Sequence, residues 1–258
     1  MTSKPDVAEL IRLGRFADAV DAQREVVGCD QYARDPWAWN LHGVVCKFAG
    51  HFDEAESAYE RARTLNCALV DKDLDLEAVI LHNLGGLAHS RRRSHEAETF
   101  ARAGLALRRQ LRSGPTALAS DMAALASILE TREQWGEAEA LYREAIAIWS
   151  AVDDDYEVGM TLNGLAAIVR FSGRPAQAEP LFVEAIAKLE RAVGPTHPDT
   201  ATARNNLAML LNATGRAQEA IALLARATTD LRAVLGEDHP ATKDVAGNLA
   251  RVRAGSTG

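Results

Sequence analysis

The chain has 258 residues, 47% hydrophobic and 25% charged, with 29 basic and 36 acidic residues giving a net charge of −7. That mixture is ordinary for a globular protein; it supplies no basic field for nucleic acid, and no apolar run approaches the roughly 20 residues of a membrane helix. Cys29, Cys46 and Cys67 are an odd count without metal-ligand spacing, so they read as buried free thiols. The opening Met1-Thr-Ser-Lys-Pro5 has no basic region followed by an apolar stretch, and a cytoplasmic location is expected.

Ser3 and Pro5 predict an N-cap and an early helical proline, opening a short helix from Pro5 to about Leu13. From there the chain repeats itself. An alanine near the start of a second helix falls at Ala19, Ala55, Ala97, Ala138, Ala178 and Ala220, at intervals of 36, 42, 41, 40 and 42 residues. Ahead of each later copy stands a Leu-small pair, Leu84-Gly85, Leu125-Ala126, Leu165-Ala166 and Leu207-Ala208, with Leu249-Ala250 closing the series. Turn glycines Gly50, Gly173 and Gly215 separate the two helices, while Arg92 and Glu133 occupy the equivalent place in two copies. The period predicts an all-α array of six helical hairpins at about 3–34, 36–68, 76–112, 117–151, 157–194 and 199–236, with a polar capping helix over about 241–254. One domain, 1–258, is expected, its tail from Gly255 to Gly258 frayed. Small residues at Gly43, Gly85, Ala126, Ala166 and Ala208 let the two helices of a hairpin approach closely.

The pattern resembles the tetratricopeptide repeat, whose signature is carried in the second unit by Trp39, Gly43, Gly50, Phe52, Ala55, Tyr59 and Ala62. The fourth unit offers Leu125-Ala126, Trp135, Ala138, Tyr142 and Ala145; the fifth offers Leu165-Ala166, Gly173, Ala178, Phe182 and Ala185. His42 departs from the pattern, standing where the signature has Leu. Units near 42 residues ending in Val-Leu-Gly-Glu-Asp-His-Pro, Val234 to Pro240, look like the kinesin-light-chain type. The resemblance implies a right-handed superhelical solenoid.

Candidate chemistry is sparse. Asp71-Lys-Asp73-Leu-Asp75 imitates a calcium loop but has Leu76 in place of the required glycine and His82 in place of the bidentate glutamate. It reads as an acidic connector, like Asp153-Asp154-Asp155, which can cap the next helix. Arg91-Arg92-Arg93 reads as a solvated helix end complementing the dipole, with an anionic partner as the alternative. His82 and His89 lie about 10.5 Å apart along a helix axis, too far to share one ion. No nucleophile elbow, phosphate loop or HExxH motif occurs, so no enzyme, cofactor or metal site is expected.

Function is sought where the resemblance places it, on the inner wall that this family builds from the first helix of each hairpin. That gives Trp37, Asn40, Lys47 and Phe48 in the second unit, and His82, Asn83 and His89 in the third. Glu130 comes from the fourth, Asn163, Arg170 and Phe171 from the fifth, Asn205, Asn206 and Met209 from the sixth, and Asn248 and Arg251 from the cap. An Asn side chain can donate to a backbone carbonyl and accept from a backbone N–H at once, so these amides suit an extended peptide; equally, they can bridge neighbouring helices. Lys47, Arg170 and Arg251 could take carboxylates. The expected partner is a protein or peptide in a concave groove, with no nucleic acid or membrane. Scaffolding through self-association or the convex face, and a small-molecule or enzymatic cavity near His82, His89 and Glu130, are the alternatives.

Overall fold

The structure, a computed structural model, describes residues 15–255 together with Val7 and Leu10. The expected helix from Pro5 to Leu13 and the end of the tail fall largely outside the described residues. Twelve helices and no strand occur among them. They are α1 (Phe16–Gly28), α2 (Pro36–Phe48), α3 (Phe52–Cys67), α4 (Leu74–Ser90), α5 (Ser94–Leu111), α6 (Pro115–Glu130), α7 (Trp135–Ala151), α8 (Asp155–Phe171), α9 (Pro175–Val193), α10 (Pro198–Ala213), α11 (Ala217–Leu235) and α12 (Pro240–Gly255). No helix among the described residues is long and apolar enough to cross a membrane. The chain groups into two compact units, Met1–Ile128 and Leu129–Gly258.

The two kinds of helix start differently. Four first helices, α2, α4, α8 and α10, and the closing α12 take side-chain caps: Asp35 accepts from Trp37 N, Asp73 from Leu76 N, Asp154 from Glu157 N, and the rings of His197 and His239 accept from Asp199 N and Ala241 N. These satisfy backbone donors that have no intrahelical partner. Second helices start without such caps, because the turn that ends the first helix flows directly into them. His51 N reaches Cys46 O at 2.9 Å and Gly50 N reaches Lys47 O at 3.1 Å, the paired bonds of a left-handed helix terminus. The same pair recurs at Arg93/Arg92, Gln134/Glu133, Arg174/Gly173 and Arg216/Gly215. Gly50, Gly173 and Gly215 adopt φ of 80°, 77° and 83°, and Arg92 and Glu133 are held at 59° and 58° in the same seat. Each non-glycine there costs about 1–2 kcal/mol, so the hairpin geometry, and not the local residue, dictates the turn.

The repeated alanines are the floor of the core. Ala19, Ala55, Ala97, Ala138, Ala178 and Ala220 are all fully buried, as are Tyr59, Phe182 and Leu224 one helical turn further on. At Gly43 an added Cβ would lie 2.5 Å from the Tyr59 ring, so the absent side chain is what lets α2 and α3 meet at that level. Arginines at the starts of second helices reach back to the preceding repeat: Arg93 to Glu56 at 2.7 Å, Arg174 to Glu139 at 2.5 Å and Arg216 to Glu179 at 2.6 Å. Arg91 likewise pairs with Glu56 and Asp53. Two expectations are corrected here. Arg91 and Arg93 are inter-repeat struts instead of a solvated helix end, and of the three cysteines only Cys46 is buried, Cys29 and Cys67 being exposed.

Candidate functional site

In the first unit, α2 carries an apolar stripe that faces away from the core. Trp37, Leu41 and Phe48 are 47%, 40% and 54% exposed, at the i, i+4, i+11 spacing of one helix face, while half-buried Val44, at i+7 between them, packs against the core. Phe48 stacks on Phe16 of α1, ring centroids 5.9 Å apart, and Lys47 Nζ lies 5.4 Å from the Phe48 centroid. Burial of its surroundings holds the Lys47 ammonium below its ordinary pKa. At the other end of the stripe, Trp37 and Leu41 line a 580 Å³ depression with Val26, Tyr32 and Asn40. Trp37 Nε1 donates to Asp73 Oδ2 at 3.2 Å, which fixes the indole.

The second unit repeats the design three hairpins later. Met160 and Phe171 on α8 are 36% and 55% exposed, with Gly164 and Ala167 completing the same spacing. Phe171 stacks on Trp135 at 5.9 Å, and the Arg170 guanidinium lies 4.4 Å over its face, a cation–π arrangement. Burial pushes Arg170 down and Glu130 up, each partly offset by the other's charge. Gly164 makes room for Tyr142, whose hydroxyl would lie 2.7 Å from an added Cβ.

The asparagines bridge first helices of consecutive repeats. Asn83 Nδ2 donates to Asn40 Oδ1 at 2.9 Å, Asn206 to Asn163 at 3.1 Å and Asn248 to Asn205 at 2.8 Å. Asn205 also donates to Asn206 Oδ1 at 3.3 Å, and Arg251 donates to Asn248. Each amide keeps spare capacity, since a primary amide has two donors and two acceptor positions. The bridging role is therefore realised, and Asn40 is itself buried, while Asn83, Asn163, Asn205, Asn206 and Asn248 stay half-exposed.

His82 is committed elsewhere. Its Nδ1 meets Asp121 Oδ1 at 2.7 Å, and Arg108 Nε donates to Asp121 Oδ2 at 2.8 Å. Asp121 and Arg108 are both buried and escape a reading of the repeat pattern, although a lone acid within the alanine-rich run of α6 is a visible irregularity. His89 is half-buried, with its pKa lowered by burial. Met209 is half-buried on α10. Phe16 and Trp135, the rings beneath the two exposed phenylalanines, were the partners that the inner-wall positions omitted.

A family model for the tetratricopeptide repeat matches residues 34–110, 116–191, 157–233 and 199–257. No curated protein matches the chain. Among solved structures, BtubC (BKLC) from P. vanneervenii is similar at 22% identity, over 92% of this chain and 95% of that one, with a TM-score of 0.68. A Podosopora anserina protein of nearly identical tetratricopeptide-like repeats, described as a kinesin light chain, is 19% identical over 72% of this chain and 90% of its own, TM-score 0.60. The Rap conjugation gene regulator of plasmid pLS20, solved in complex with the Phr* peptide, is 14% identical over 82% of this chain and 57% of that one, TM-score 0.67. At these identities the likeness is one of fold.

Proposed function

The chain belongs to the tetratricopeptide repeat family, and from that premise we propose that it is a non-catalytic interaction module whose array of six hairpins binds an extended peptide or partner segment along the first helices. The observation that carries this reading is the outward apolar stripe, Trp37 to Phe48 on α2 and Met160 to Phe171 on α8. Large aromatics with a cation on one face, exposed in register in both units, are the composition of binding hot spots and not of a solvated surface. Around them the half-used amides offer main-chain hydrogen bonds. Lys47 and Arg170, whose charges burial disfavours, gain from a ligand carboxylate. The peptide-bound Rap regulator, a neighbour in fold, is consistent with this use.

Peptides selected from a displayed random library on the full chain provide the test, with affinities then measured by calorimetry. Phe48→Ala or Phe171→Ala should cost about 2 kcal/mol, roughly 30-fold in Kd. Asn205→Ala should weaken binding by about 0.5–1.5 kcal/mol whatever the ligand's side chains. Arg170→Ala should matter less as salt rises. Unchanged affinity in all four variants, with helicity intact, would move the binding surface off this wall and favour the scaffold reading.

A further inference from the structure

The second hairpin holds a second, buried constellation apart from the exposed wall. His42 and Cys46 lie one turn apart on α2, and Glu54 comes from the first turn of α3. Cys46 is fully buried and His42 nearly so. Cys46 Sγ is 3.6 Å from His42 Nε2, His42 Nε2 is 3.1 Å from Glu54 Oε1, and all three potential ligand atoms lie within 4.8 Å of one another.

Those separations have a simple geometric meaning. With zinc–nitrogen, zinc–sulfur and zinc–oxygen distances of about 2.0, 2.3 and 2.0–2.2 Å, a tetrahedron has S···N and N···O edges of about 3.5 and 3.3 Å. The observed values match to within a few tenths of an ångström. The residues are also out of place for a repeat core. Where this hairpin has His42, the other repeats have Leu84, Leu125, Leu165 and Leu207; where it has Cys46, they have Ala88, Leu129, Val169 and Leu211. Two apolar core seats in one repeat have thus been replaced by a thiol and an imidazole, both common zinc ligands, next to a carboxylate. A buried imidazole confers no packing gain over leucine.

We infer that His42, Cys46 and Glu54 form a binding site for a zinc-class divalent ion, with three protein ligands and a fourth position open to solvent. Mixed thiolate, imidazole and carboxylate donors suit zinc or cobalt and are unsuited to calcium or magnesium. His42 and Glu54 also line a 480 Å³ cavity with Arg24, Trp39, Ser57 and Arg61, the route by which water would supply the fourth ligand. Arg24 orients the carboxylate from behind, donating through Nε to Oε1 at 2.8 Å and through Nη2 to Oε2 at 2.6 Å. Oε1 has a second lone pair, used by His42 in the metal-free state and turned to the ion on binding. Loading forms metal–sulfur, metal–nitrogen and metal–oxygen bonds; the Cys46 proton is released to solvent, and the His42 Nε2 proton that Glu54 accepts in the metal-free state is exchanged through solvent for one on Nδ1, so that the neutral ring binds through Nε2, with no change of oxidation state.

Cobalt(II) added to the metal-stripped full chain is the probe, because thiolate ligation gives it a charge-transfer absorption that zinc lacks. One equivalent should develop that band, and one equivalent of zinc should abolish it. Cys29→Ser/Cys67→Ser, which removes both exposed thiols, should retain the band. Cys46→Ser and His42→Leu should lose it, with zinc affinity down by more than the roughly 10–100-fold lost when only a residue that orients a ligand is removed. His42→Leu restores the residue of the other repeats, so it decides the matter if Cys46→Ser fails to fold. A wild-type chain without the band, or a band that survives in His42→Leu and vanishes in Cys29→Ser/Cys67→Ser, would overturn the site.

Discussion

Arg204 ties α10 to the connector after α9 and to α11, and its removal tests how that connector is held. Its side chain is 7% exposed; Nη1 donates to Pro195 O at 2.6 Å and to Asp230 Oδ2 at 2.9 Å, and Nη2 donates to Glu190 Oε1 at 2.6 Å. The Glu190 arm is 41% exposed and worth about 0–1 kcal/mol. The other two arms are different. Asp230, 6% exposed, would keep only Arg226, which reaches it at 3.0 Å from a half-exposed position. Breaking a buried pair in this way costs about 3–5 kcal/mol, here nearer the lower figure because Arg226 remains. Losing the donor to Pro195 O adds about 1 kcal/mol. Arg204→Met should therefore destabilise the second unit by about 4 kcal/mol in all. The double variant Arg204→Met/Asp230→Leu removes the stranded charge along with its partner, and about 2–3 kcal/mol should return. Urea titrations of the full chain by circular dichroism give the midpoints, and hydrogen exchange of α10 and α11 amides isolates the local effect if repeats unfold separately. A double variant as unstable as the sum of the two single variants would refute the argument, since the cost would then lie in packing and not in an uncompensated charge.

Tyr59 carries a hydroxyl that is buried without a partner among the described residues, so Tyr59→Phe should stabilise the metal-free first unit by about 1–2 kcal/mol; a lower urea midpoint would show that the hydroxyl is satisfied. Glu139, clamped by Arg174 and Arg143, has its carboxyl held below the usual carboxylate range, chiefly by the hydrogen bond from Arg174. A depressed native pKa means that the unfolded chain binds the proton first, so this contribution is present above the ordinary value of 4.5 and lost as pH falls through the native one. Glu139→Gln should flatten the acid side of the stability–pH curve while leaving its slope above pH 6 unchanged, which melting temperatures across pH will check.

The sequence by itself determined the hairpin count, the second-helix alanines and the turns, because each is a local pattern repeated at a fixed period. Ala55 is buried for the same reason as Ala178, and Arg92 adopts the left-handed turn although no glycine marks it. The connector histidines His197 and His239 act as caps. What only the tertiary structure decided is how each irregular polar residue is spent. Asn83 and Asn40, or Asn206 and Asn163, are 43 residues apart, and whether two such amides meet depends on helix phase and inter-repeat spacing to within an ångström. The same holds for Arg93 on Glu56, for His82 and Arg108 on Asp121, and for Arg204 on Asp230. A charge in the sequence reads as solvated until a partner from the next repeat arrives within hydrogen-bond range. His42, Cys46 and Glu54 likewise fall twelve residues apart from first to last, with nothing in their spacing to single them out. The close approach that Gly43 allows between α2 and α3 brings them together.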